Sequence, residues 1–193
     1  MEAVGSSRAS MEAETRAILT RLEATQNDAE LLQHLGGIGK EEHALMGELV
    51  QTYCQADALC RGLVAILKHK REGVPSDFAY EQNDTDVLIH LRKEANNTIL
   101  SIDTAGVIQA VDTFEMHRVF RHTFSHWVVK KYLHGDYLVA FTKNKKEGEK
   151  RDGVVMTGGK AKLMVFPIVL LVNELEKLKS NCSFLAELHL YME

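Results

Sequence analysis

"EEHALMGELVQTYCQADALCRGLVAILKHKR", residues 41 to 71, is the stretch that decides the fold class. Leu45, Leu49, Tyr53, Ala56, Cys60, Val64 and Leu67 return every three or four positions, the spacing of one face of an α-helix. A long amphipathic helix with one buried side is expected here. Upstream, Ile18, Leu19, Leu22, Leu31, Leu32 and Leu35 sit at near-helical spacing, and "GGIG" at residues 36 to 39 supplies a stop. Downstream, "EGVPSDFAYEQND" has the Gly, Pro, Ser and Asp content of a loop. Asp84 can cap a third helix carrying Val87, Leu88, Leu91, Ala95 and Ile99. Asp103 or Thr104 can cap a further segment holding Val107, Ile108, Val111 and Phe114, which runs on, or breaks and restarts, into residues 120 to 131 and ends near His134 and Gly135.

After Gly135 the pattern changes. "YLVAFT" (137 to 142) and "GVVMT" (153 to 157) are short β-prone runs joined by the charged connector "KNKKEGEKRD", which reads as a β-hairpin. From Ala161 an apolar run and "NELEKLK" read as a last helix, with "FLAELHLYME" as a C-terminal turn or short helix. The expected fold is mainly α: an up-and-down bundle of four to five helices with a small β-hairpin inserted at about 136 to 158. Residues 1 to 10, small and polar, read as a flexible N-terminus, and 11 to 193 as a single domain.

The chain has 193 residues, 45% hydrophobic and 26% charged, which places it in the ordinary globular range. Only two prolines occur, against the turn signals about every 8 to 12 residues that an all-β sandwich would need. A net charge of -4 gives no global attraction to nucleic acid or anionic lipid. Any such binding must come from a local patch. Residues 143 to 162 provide one, with an excess of four positive charges in an otherwise acidic chain. Cys54, Cys60 and Cys182 lack metal-ligand spacing and read as reduced intracellular thiols. The longest apolar run, Leu163 to Val172, is interrupted by Pro167 and falls far short of the roughly 20 residues that span a bilayer. A cytoplasmic protein with no membrane partner is expected.

The chemistry concentrates in "FRHTFSHWVVKK", residues 120 to 131. At about 100° per residue, positions four apart share a helix face, pairing His117 with Arg121, Arg118 with His122, and His122 with His126. Arg121 and His126 are five apart, about 140° around a straight helix. They converge only if the arginine swings back, the helix begins between them, or each works with a partner from another subunit. Histidine exchanges a proton near neutral pH, and a guanidinium holds two phosphate oxygens through parallel hydrogen bonds. RNA cleavage by the 2'-hydroxyl needs a base, an acid and a cation on the phosphorane, with no metal in that set. One histidine does not easily serve as both base and acid, so a twofold dimer joining two of them makes chemical sense.

The run Arg121-His122-Thr-Phe-Ser-His126 resembles the motif of the HEPN superfamily: an arginine, a polar residue such as Asn, Asp or His, three further residues and a histidine. The resemblance implies an up-and-down helical bundle with the motif near the start of a late helix. It implies a metal-independent endoribonuclease in which a homodimer joins two motifs, of the kind found in toxins and antiviral defence. Arg121 and His126 would be catalytic, with His122 supporting them. It further implies no cofactor, RNA as substrate, and, in a toxin, an antitoxin or other regulatory protein as partner. In toxins paired with a minimal nucleotidyltransferase, a tyrosine stands two residues after the histidine. Here that position is Val128, which argues against control through such a tyrosine. Lys130, Lys131, Lys143, Lys145, Lys146, Lys150 and Arg151 could guide RNA phosphates.

Other readings stay open. His122 and His126 have the HxxxH spacing of two zinc ligands but no glutamate or third ligand beside them. Trp127 and Phe124 suit packing better than base stacking, and "GGIGK" lacks the full phosphate-loop pattern. The chain could also be a non-catalytic helical module that binds a nucleotide, RNA or protein, or a purely structural adaptor.

Overall fold

The structure, a computed structural model, describes residues 2 to 75, 77 to 97, 102 to 152 and 160 to 192. It is mainly helical, with a small four-stranded antiparallel sheet. Seven α-helices occur among the described residues: α1 (Glu2–Glu23), α2 (Asp28–Gln33), α3 (Lys40–Glu72), α4 (Asp84–Asn97), α5 (Thr104–His126), α6 (Lys145–Asp152) and α7 (Ile168–Met192). The strands are β1 (Leu35–Gly36), β2 (Val128–Tyr132), β3 (Tyr137–Thr142) and β4 (Lys162–Pro167), in the order β1-β2-β3-β4. The chain divides into two compact units, residues 1 to 45 with 123 to 172, and residues 46 to 122 with 173 to 193.

The second unit is the helical one. The stripe expected on α3 is buried there: Tyr53, Ala56, Cys60, Val64 and Leu67 pack with Val87, Leu91 and Ala95 of α4, Val107, Val111 and Phe114 of α5, and Leu178 and Leu185 of α7. Each valine, leucine or phenylalanine among them, withdrawn from water, contributes roughly 1.5 to 3 kcal/mol. Gly73 ends α3 in the left-handed region at φ 66°, donating its N–H to the His69 carbonyl at 2.9 Å, a backbone shape that glycine adopts without penalty. The loop that follows holds a 3-10 turn at Phe78–Glu81. Asn83, rather than Asp84, caps α4 by accepting from the Asp86 N–H at 3.0 Å. Asp103 caps α5, accepting from the Gly106 N–H at 2.9 Å.

The first unit holds the sheet. Ile18 and Leu22 of α1 and Leu31 of α2 pack on Tyr132, Tyr137, Val139 and Leu163. The stretch from Ile18 to Leu35, at near-helical spacing throughout, is two helices. Asn27 breaks it, its side chain accepting from the Glu30 N–H to start α2, and α1 itself begins at Glu2. "GGIGK" carries the end of β1 and the approach to α3, where the Glu42 carboxylate accepts from the Gly39 N–H at 2.8 Å. That is the reciprocal half of a capping box.

The sheet differs from the expected hairpin in three ways. First, α5 ends at His126 instead of near His134, and residues 128 to 132 form β2. Val128, Val129 and Tyr132 favour extended backbone, and residues 128 to 131 pair with Phe141 back to Leu138. Second, the apolar run after Ala161 is strand β4 before it is helix. All six of its residues pair with β3, and Pro167 closes the strand just before Ile168 opens α7. Third, the connector 143 to 152 holds helix α6. "GVVMT", expected as the second hairpin strand, lies outside the described residues. β3 is an inner strand, paired on both edges, and its residues from Tyr137 to Ala140, which alternate between the two faces of the sheet, are all buried. "FLAELHLYM" continues α7.

Candidate functional site

The catalytic candidates Arg121, His122 and His126 lie at the end of α5, and their neighbours are not foreseeable from spacing. The apolar stripe of α5 continues through His117, which is 1% exposed and takes a core position. Its Nε2 stands 3.2 Å from Oε2 of the buried Glu174 on α7. Burial lowers the His117 pKa and the Glu174 carboxylate opposes that shift. His117 thus belongs to the interior, although spacing pairs it with Arg121 on one face.

Arg121 is half-exposed. Its Nη1 donates to Oδ2 of Asp84 at 3.4 Å, and its guanidinium carbon lies 5.9 Å from the centre of the Tyr53 ring. Asp84 also accepts from Arg61: Oδ1 receives Nη2 at 3.0 Å. Arg61 is held in turn by Asp57 at 2.8 Å and by the carbonyls of Ala79 and Gln82 at 2.9 and 2.7 Å. One turn before Arg121, Arg118 donates to the Thr85 hydroxyl. Two arginines of α5 therefore meet the first two residues of α4. Burial, reinforced by Asp84 and Asp57, pushes the Tyr53 phenol far above its ordinary value, so it stays protonated.

Past residue 122 the motif belongs to the other unit. His122 is half-buried, and His126 is exposed as the last residue of α5. Thr123 is fully buried, its hydroxyl 3.8 Å from the Met164 sulfur, and Phe124 meets Phe166 with ring centres 5.4 Å apart. Trp127 is buried, as packing requires. The resemblance implies a motif near the start of a helix. Here it occupies the last two turns of one, because β2 follows at once.

The basic residues divide. Lys131 is engaged by Glu42 at 2.7 Å, and each holds the other charged: the Lys131 pKa is raised and that of Glu42 lowered. Lys143 pairs with Asp28 at 2.5 Å and Lys145 with Glu149 at 3.8 Å. Lys146 is exposed and Lys130 half-buried. Lys150 and Arg151 belong to α6, but their side chains lie outside those described. Among the described residues no three His, Cys, Asp or Glu side chains gather as a metal site, and no helix is long and apolar enough to cross a membrane.

The residues that spacing could not find are Asp84, Arg61 and Tyr53. Asp84 reads as a helix cap and Tyr53 as core, and nothing local links either to a position 37 or more residues away. No family model matches the chain, and neither a curated protein nor a solved structure matches it.

Proposed function

We propose that the protein is a metal-independent endoribonuclease acting as a homodimer, with Arg121, His126 and His122 as its working residues. The observation that carries the reading is the Arg121-His122-x3-His126 run in the last two turns of α5, with an exposed histidine and a half-exposed arginine. The 2'-hydroxyl attacks the adjacent phosphorus, forming the bond to O2' as the bond to O5' breaks. A histidine takes the proton from the hydroxyl, and another gives one to the departing 5' oxygen. The products are a 2',3'-cyclic phosphate and a 5'-hydroxyl. Arg121 binds the non-bridging oxygens, whose charge grows in the transition state. His122 orients the pair. Because one His126 does not serve as base and acid in a single step, the second comes from the partner copy.

Purified wild type is expected to cleave RNA in EDTA. His126→Ala should lower kcat by about 10² to 10⁴ and Arg121→Ala by about 10² to 10³. Absence of cleavage by the wild type, or equal cleavage by the variants, would refute the proposal.

A further inference from the structure

We infer that Asp84 is a positioning residue for Arg121 and that Arg61 anchors it; this rests on the reading of Arg121 as the group that binds phosphate. An arginine side chain has many rotamers, and a guanidinium acts on a developing charge only when its fork is already aimed. Arg61 is the most constrained cation near Arg121. Its side chain is 11% exposed and meets two carboxylates and two backbone carbonyls. The carbonyls of Ala79 and Gln82 belong to the turn that leads into α4, so Arg61 fixes where that helix begins. Oδ1 of Asp84 is thereby held, and Oδ2 is directed at Arg121.

Arg121 meets this carboxylate through one nitrogen of its fork, at the long end of hydrogen-bond range, with its side chain 40% exposed. One tied edge orients the plane, and the other donors of the guanidinium can still reach a phosphate. The Tyr53 ring limits the sweep of the guanidinium from another direction. Arg118 is held separately, by Thr85, so Asp84 serves Arg61 and Arg121 without having to serve a third arginine.

The competing possibilities are that Asp84 only ties α4 to α5, or that it blocks Arg121 from phosphate. A double-mutant cycle of wild type, Asp84→Asn, Arg121→Ala and the double variant separates these, because an effect exerted through Arg121 vanishes once Arg121 is gone. Two substrates are used: an RNA oligonucleotide, and its 2'-deoxy counterpart, which can bind but cannot be cleaved by 2'-hydroxyl attack. Thermal melts give the folded fraction of each variant. Asp84→Asn is expected to lower kcat by up to about 10²-fold with little change in KM, the size expected for a displaced catalytic group. It should have no further effect in the Arg121→Ala background, and Asp84→Glu, which keeps the charge, should restore part of the rate. Equal losses in both backgrounds, or a rate loss that the fall in folded fraction accounts for, would show a merely structural tie, and faster cleavage or tighter binding by Asp84→Asn would show a block. Either overturns the inference. If wild type cleaves nothing, the ribonuclease reading fails, and the cycle is read from binding of the 2'-deoxy oligonucleotide. There, a loss confined to the Arg121 background upholds the inference. No binding, binding unchanged by Asp84→Asn, or additive losses overturns it.

Discussion

His117 sits in the interior of its unit with Nε2 on Glu174, and Nδ1 has no hydrogen-bond partner among the described residues. Burial is the largest influence on this histidine, lowering its pKa from the ordinary 6.5, while Glu174 pulls it up and Lys177 pushes it further down. The consequence for stability has a definite sign. Below about pH 6.5 the unfolded chain takes up a proton that the folded chain resists, so stability falls with falling pH and is level above that value. His90, also lowered, first by burial and then by the charge of Lys68, acts in the same direction. Denaturant unfolding between pH 5 and 8 should therefore show a slope below pH 6.5 that is reduced, but not abolished, in His117→Gln. An unchanged slope in that variant would remove His117 from the account. Arg121 stands one turn later, yet it meets solvent and Asp84 instead of the core. The difference between the two comes from what folding brings opposite them: Glu174 for one, Asp84 for the other.

Among the elements, α3 shows what a sequence discloses readily. Its stripe is a local pattern, each residue meeting the next within one turn, and the buried face from Tyr53 to Leu67 follows it. Strands β2 and β4 show what it conceals. Both are short and run straight into or out of a helix, and both form because β3 lies between them. A contiguous apolar run is compatible with either a buried strand or a buried helix; the pairing that decides between them reaches 7 to 13 residues along the chain for β2 and 20 to 30 for β4. The motif was legible for the same reason as α3, being six adjacent residues, and its Asp84 partner was hidden for the same reason as β4. Leu138, fully buried on β3, tests the sheet. Leu138→Ala should cost about 2 to 5 kcal/mol in denaturant unfolding, whereas Leu190→Ala at a site 73% exposed should cost little. On α6, Lys145 and Lys146 are exposed. If they contact RNA phosphates, changing both to glutamate weakens binding and lowers the salt dependence by about one unit per lost contact. An unchanged salt slope would assign them to a solvated face.

For the whole molecule, the reading requires two copies, since each chain brings one His126 to a reaction that needs an acid and a base together. Specific activity should accordingly fall as the protein is diluted below the concentration at which sedimentation shows dimers; constant specific activity in a monomeric sample would rule out a site shared between copies. The most direct test of the central claim is the chemistry of the cut. An RNA oligonucleotide and its 2'-O-methyl counterpart are incubated in EDTA with wild type and with Arg121→Ala, and the product ends are analysed. The account predicts 2',3'-cyclic phosphate and 5'-hydroxyl ends from the RNA with wild type, no cleavage of the 2'-O-methyl oligonucleotide, and little product with Arg121→Ala. Cleavage of the 2'-O-methyl oligonucleotide, 5'-phosphate ends, or no cleavage of the RNA would contradict it.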